Sequence, residues 1–390
     1  MITSRNPLRD RVAIAGAATT GFVASNTARS QASLAAEACI KVLRECGLGP
    51  QDVDGICGSA PSAPHLQAML GIPEVTWFAN PAIPFVNHVA AAVSAVAAGL
   101  CETVLAYHAA YRLPWNTGSA WKDPFRRASA GGPMPLNRAP DSVGASVGYT
   151  AWASRYLHEY RTPREHLGYV AVNDRSNAAR NPAAAMHAPL TMEDYLAARI
   201  VRWPLCLYDM DVAVDGADAF VITTAERARD LPHPPVLVDA VALGMTDKND
   251  EDQAPDLEHH GQQVTIRALK AKSDFWIEDC DVYFPYDGFT IITLNWIENA
   301  GWCGRGEAGD FLKQHWDAAT NRVLIDGRIP INPHGGALSE GGTQGSGHVR
   351  EAVHQLQGLA GERQVADAQR AIVTAGGFFF NAQGVTLHRG

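Results

Sequence analysis

Residues 86–99 read VNHVAAAVSAVAAG, and they constrain the fold more than any other part of the chain. The run is almost all Ala and Val. A helix built from it is apolar on nearly every face and has no side to offer water, so it must be buried. Short apolar runs flank it at 12–16, 53–58 and 103–107, each with the length of a buried strand. Residues 33–46 carry Leu34, Ala35, Ala38, Cys39, Val42 and Cys46 on one side of a helix, which Gly47 closes. This β–α–β alternation predicts a layered α/β architecture.

The pattern restarts after Pro232-His233-Pro234-Pro235. A strand at 236–241 is followed by a helix at 257–271, a strand at 281–284 and a helix at 289–299. Glycine-rich turns, a helix at 349–358 and a strand at 371–374 complete the chain. The second half repeats the order of the first, which predicts two halves, 1–235 and 236–390. Pro, Gly, Asn, Arg and Trp accumulate at 112–116 and 130–135, and helices are expected at 145–158 and 191–200. The 110–200 region therefore reads as an inserted, partly helical subdomain over the site, because a loop of that length is usually functional.

Charge and composition narrow the class. The chain has 390 residues, 46% of them hydrophobic and 19% charged, as in an ordinary globular enzyme. A net charge of −9 argues against a nucleic-acid partner. No run approaches the roughly 18 apolar residues of a spanning helix, and the first residues lack the apolar core of a signal peptide. Seven scattered cysteines without a CxxC pair point to free thiols and a cytoplasmic location. His259 and His260 are expected on an exposed helix face, and the stretch 274–279 is expected to be a solvated turn.

The chemistry concentrates near the C-terminus, in Asn332-Pro333-His334-Gly335-Gly336 and on through Gly341-Gly342-Thr343 to His348. Together with Gly99–Leu105, Asp215-Gly216-Ala217-Asp218-Ala219 and Tyr286-Asp287-Gly288-Phe289, this segment resembles the thiolase superfamily, on its non-classical, lipid-transfer-protein-like branch. The resemblance implies a five-layer αβαβα fold of two related α/β halves. It also exposes departures. Gly342 and Thr343 stand where a thiolase carries His-Pro, and the start of the buried helix, 82–88, holds no Cys. Cys101 lies at the helix's far end. Covalent acyl transfer through a thiolate is thus disfavoured.

The branch includes steroid side-chain aldolases, so the resemblance implies retro-aldol cleavage of a β-hydroxyacyl-CoA. A CoA thioester would be the substrate, and no cofactor would be bound by this chain. The Tyr of the Tyr-Asp-x-Phe segment carries over to Tyr286, as acid or base. A second family Tyr falls on the position of Gly342 and is missing. His334 and His348 suit proton transfer because imidazole titrates near neutrality. His88, Asp287, Phe289, Gly335, Gly336 and Gly342 are expected to line the substrate, with glycine N–H groups holding the enolate. Asp287 either orients Tyr286 or caps the helix at Phe289, the latter being favoured. Relatives suggest a homodimer, in a hetero-oligomer with a small OB-fold, zinc-ribbon protein that owns any zinc. The competing functions are an acyltransferase with an unusual nucleophile and a non-catalytic acyl-CoA or lipid-binding scaffold.

Overall fold

The computed structural model describes residues 3–24, 28–58, 60–112, 145–247, 256–377 and 381–390. The stretches expected to be irregular at 113–116 and 130–135 lie outside them. In chain order the strands are β1 (Val12–Thr19), β2 (Gly55–Cys57), β3 (Trp77–Ala79), β4 (Thr103–Tyr111), β5 (Ile200–Arg202), β6 (Leu205–Cys206) and β7 (Asp215–Thr224). They continue as β8 (Val236–Gly244), β9 (Val282–Phe284), β10 (Trp316–Asp317), β11 (Arg322–Ile325), β12 (Ile329–Pro330), β13 (Arg370–Ala375) and β14 (Ala382–Arg389).

Nine strands pair in the order β3-β2-β4-β7-β1-β8-β14-β13-β9. The first five precede Pro235 and the last four follow it. Only Ala13 with Leu237 and Ile14 with Val236 join the two groups, across β1 and β8. The helix Val86–Ala97 packs on β2, β4, β7 and β1 of one group and on β8 and β14 of the other. The helix Ser346–Gln357 likewise meets β13, β14, β9 and β8, and also β1 and β7. Both lie between the two groups of strands. The helix Gln31–Glu45 covers the first group from outside, and the helix Gly261–Lys272 covers the second. Five layers result, and the all-apolar helix sits in the middle one, where Val86, Val89, Val93 and Val96 pack with Val238, Val373 and Val385.

The helix Glu165–Ala178 is buried along nearly all its length and packs against the turn Gly336–Glu340. Three local expectations are corrected. The helix expected at 191–200 stops at Ala197, because β-branched Ile200 and Val201 pair as β5 with β6 instead. His260 is buried ahead of its helix, edge-on to Trp152 at 5.3 Å, rather than solvated. Phe275 and Trp276 are also buried, and Trp276 Nε1 donates to the Ala300 carbonyl at 2.8 Å. The apolar area of two aromatic rings outweighs their acidic neighbours.

Candidate active site

Strand β9 ends at Phe284, and Tyr286 and Asp287 follow in the next turn. The glycine-rich segment is pinned beside them. Tyr283 bridges to Ile331, the Asn332 N–H donates to the Tyr283 carbonyl at 3.1 Å, and Asn332 Nδ2 donates to the Pro285 carbonyl at 2.9 Å. His348 lies in the first turn of the helix Ser346–Gln357. The fold thereby gathers Tyr286, Asp287, His334 and His348. The Tyr286 and His348 rings lie 5.5 Å apart, and those of His334 and His348 lie 4.7 Å apart, edge to face. His348 Nε2 is 2.9 Å from Asp287 Oδ1.

Asp287 departs from both expected roles. The helix Thr290–Ala300 has no side-chain cap. Instead the fully buried Asp287 carboxylate accepts from the Ala337 N–H at 2.7 Å and the Leu338 N–H at 2.9 Å, besides contacting His348. Burial pushes its pKa up, but His348 and the hydrogen bonds from Asp174 and Ala337 outweigh burial and hold it below the usual carboxylate range. Its buried neighbour Asp174 moves well above that range, first through burial and then through the charge on Asp287.

Tyr286 is buried, and its phenol is held well above its ordinary pKa. Burial is the main cause. Asp211 and Asp287 push the same way, and Arg112 pulls it back in part. Tyr286 is accordingly a protonated phenol, not a phenolate. His334 is fully buried, and burial followed by the charges of His348, Arg350 and Arg363 keeps its imidazole neutral. Neither of its ring nitrogens has a hydrogen-bond partner among the described residues. Phe289 stacks on Tyr149 at 4.6 Å and bridges to Met210.

The glycines carry a second correction. The N–H of Gly335 goes to the Asn332 carbonyl, that of Gly341 to Gly336, and that of Gly342 to Val212 at 2.8 Å. With Ala337 and Leu338 spent on Asp287, these groups are engaged inside the protein rather than turned toward an enolate. Gly336 has φ +60°, and a Cβ there would lie 2.1 Å from Asp287 Oδ2, so close packing of the carboxylate demands glycine. A Cβ on Gly335 would meet Ala178 Cβ at 2.5 Å.

His88 belongs to another group. It is fully buried near the start of the helix Val86–Ala97, stacked on Phe85 and edge-on to His108 at 6.5 Å. Burial, then His108, lowers its pKa to about 3; burial lowers that of His108 to about 4, against the pull of Asp218. Burial also pushes the Cys101 thiol up to about 12.

Sequence reasoning missed the charged residues of the site. Arg350, fully inside, pairs with Asp218 Oδ1 at 2.5 Å and with Glu340 Oε1. Ser346 Oγ donates to Asp218 Oδ2 at 2.6 Å. Burial raises Glu340 to about 7 in spite of Arg350. Beside Gly342, Arg112 Nη1 meets Asp211 Oδ2 at 2.5 Å. The one signal for Glu340 was a lone acid in a glycine-rich run; nothing local marked Arg112 or Asp211. No cluster of His, Cys, Asp or Glu able to hold a metal occurs among the described residues, and none of their helices is long and apolar enough to cross a membrane.

Residues 244–389 match the family model described as thiolase C-terminal domain-like. The chain is 34% identical to a steroid side-chain-cleaving aldolase of Thermomonospora curvata, over 93% of this chain and 94% of that protein. It is also 34% identical to the 17-hydroxy-3-oxo-4-pregnene-20-carboxyl-CoA lyase of Mycobacterium tuberculosis, over 95% and 97%. The solved structure of an Ltp2-ChsH2(DUF35) aldolase superposes with a TM-score of 0.85 at 32% identity, covering 98% of this chain and 99% of that one. The human mitochondrial 3-ketoacyl-CoA thiolase shares the fold, with a TM-score of 0.68 at 15% identity over 98% of this chain and all of that one (100%).

Proposed function

Because the chain belongs to the thiolase-like family of side-chain-cleaving aldolases, we propose that it cleaves a β-hydroxyacyl-CoA bearing a bulky, steroid-like side chain. The protein is a carbon–carbon lyase. The Cα–Cβ bond breaks, the β-carbon leaves as a ketone or aldehyde, and the thioester enolate is protonated at Cα to give a shorter acyl-CoA. The observation that carries this reading is the gathering of Tyr286, His334 and His348, with the buried Tyr286 ring 5.5 Å from that of His348 and the two imidazoles 4.7 Å apart. A protonated phenol placed there can give its proton to the enolate carbon. The neutral imidazole of His334 supplies an N–H donor for the thioester oxygen, where negative charge develops. Acyl transfer is the weaker reading, because burial keeps Cys57 and Cys101 near pKa 12 and no thiolate is available.

The two-protein name of the Ltp2-ChsH2(DUF35) aldolase supports a second protein in the working assembly; that this protein is a small OB-fold partner and that the present chain is a homodimer are proposed from the family resemblance. The test is a cleavage assay on the copurified complex, with a tertiary-alcohol β-hydroxyacyl-CoA and mass detection of the shorter acyl-CoA. Tyr286→Phe is expected to lower turnover roughly 10²–10⁴-fold at unchanged melting temperature, the usual range for a lost general acid. Unchanged turnover in the variant would remove Tyr286 from the chemistry. Binding without release by a folded wild-type complex would favour a scaffold.

A further inference from the structure

The space beside Gly342 is filled. A Cβ at 342 would lie 2.2 Å from Arg112 Nη1 and 2.5 Å from Asp211 Oδ2. The ion pair of Arg112 and Asp211 therefore occupies the place a larger side chain at 342 would take. It also borders Tyr286. The Asp211 N–H donates to the Gly288 carbonyl at 3.1 Å, and the Tyr286 hydroxyl lies over Gly288, 3.0 Å from where a Cβ would sit. Unlike the sealed Asp287–His348 pair, it reaches the surface, with 38% of the Arg112 side chain and 14% of the Asp211 side chain exposed. Two backbone links fix Arg112: its N–H donates to the Val214 carbonyl at 3.2 Å and to Asp215 Oδ1 at 3.0 Å.

The geometry points to Asp211 as the general base that takes the β-hydroxyl proton, with Arg112 as the residue that positions its carboxylate. This rests on the retro-aldol reading above and completes it, since that reading leaves the base unassigned. Asp211 accepts the hydroxyl proton as the O–H electron pair becomes the second bond of the product carbonyl. The Cα–Cβ pair moves into the thioester to give the enolate. Tyr286 gives its proton to Cα, and the proton on Asp211 then returns to the Tyr286 oxygen. No proton or electron is left over. Burial and the neighbouring Asp211 and Asp287 carboxylates keep Tyr286 protonated until the enolate forms, and Arg112, which pulls the other way, eases the release of its proton.

The experiment compares wild type, Asp211→Asn and Asp211→Ala in the copurified complex, by single-turnover release of the shorter acyl-CoA from pH 5 to 9. Asp211→Asn keeps the shape and is expected to lower the rate about 100-fold, with substrate affinity within about threefold of wild type. Asp211→Ala opens the position, and added formate is expected to restore at least tenfold of the lost rate. Formate does not mend a merely structural defect. A rate for Asp211→Asn within about threefold of wild type overturns the assignment. So does a slow but folded Asp211→Ala that formate leaves unchanged. Absence of cleavage by wild type itself overturns the aldolase reading, and this assignment with it.

Discussion

Two positions that a thiolase would use for catalysis have been emptied here, and they have been refilled in opposite ways. At the start of the middle-layer helix the space is closed. His88 is fully buried, faces His108 and stacks on Phe85, which belongs to the apolar core between the two groups of strands. Both imidazoles are driven to the neutral form by burial, with pKa values of about 3 and 4. At Gly342 the space is charged and reaches the surface, occupied by Arg112 and Asp211 next to Tyr286. Dropping a nucleophile lets its surroundings become ordinary core. Retaining proton chemistry requires charge and access to be kept.

Arg350 links the two positions, because it binds Asp218, the register partner of His108, and Glu340, which faces His334. Replacing it tests how far the two regions are independent. Arg350→Met leaves two buried carboxylates without their cation and is expected to cost about 3–5 kcal/mol. Chemical denaturation measures it; a loss under about 1 kcal/mol would mean that the carboxylates relax separately.

The sealed region has a pH signature. His88 and His108 bind a proton readily when unfolded, near pH 6.5, but in the folded chain only near pH 3–4. The unfolded state thus holds more protons between these limits, and stability falls as pH drops from about 6.5. For one such group the loss at pH 5 is about 2 kcal/mol, at ~1.4 kcal/mol per unit. His88→Gln is expected to flatten that slope in melting curves taken from pH 7.5 to 5. An unchanged slope would show that His88 is solvated.

The open region is sharpened by Gly342→Ala. The added methyl displaces the flexible end of Arg112, so stability should change by less than about 1 kcal/mol, while cleavage falls about tenfold, the equivalent of ~1.4 kcal/mol in the barrier. A variant as fast as wild type would separate the ion pair from the reaction. The smallest effect is expected at Cys101, at the far end of the sealed helix. Cys101→Ala should leave turnover within about twofold, and iodoacetamide should not inactivate the wild type, because its buried thiol is not ionised.

Much of the fold was legible. The all-apolar stretch from Val86 could only be interior, and the restart after Pro235 marked a second run of strands. The Tyr286, His334 and His348 group was legible as well, since a short turn and a glycine-dense segment held all three. The role of Asp287 was not. Its partners Ala337 and Leu338 lie 50 and 51 residues away, and proximity to Phe289 suggested a cap instead.

The sequence by itself determined the layers, the absence of a thiol at the helix start, and the residue types available for proton transfer. These depend on local composition and period, which a single segment carries. Only the tertiary structure decided which charges meet. Asp211 and Arg112 stand 99 residues apart and come together because antiparallel pairing sets Tyr111 opposite Asp215, delivering the next residue to the turn before β7. Burial then fixed the proton state of Tyr286 and His334 and raised the pKa of Glu340 to about 7, and burial is a property of the packed layers rather than of any stretch of sequence.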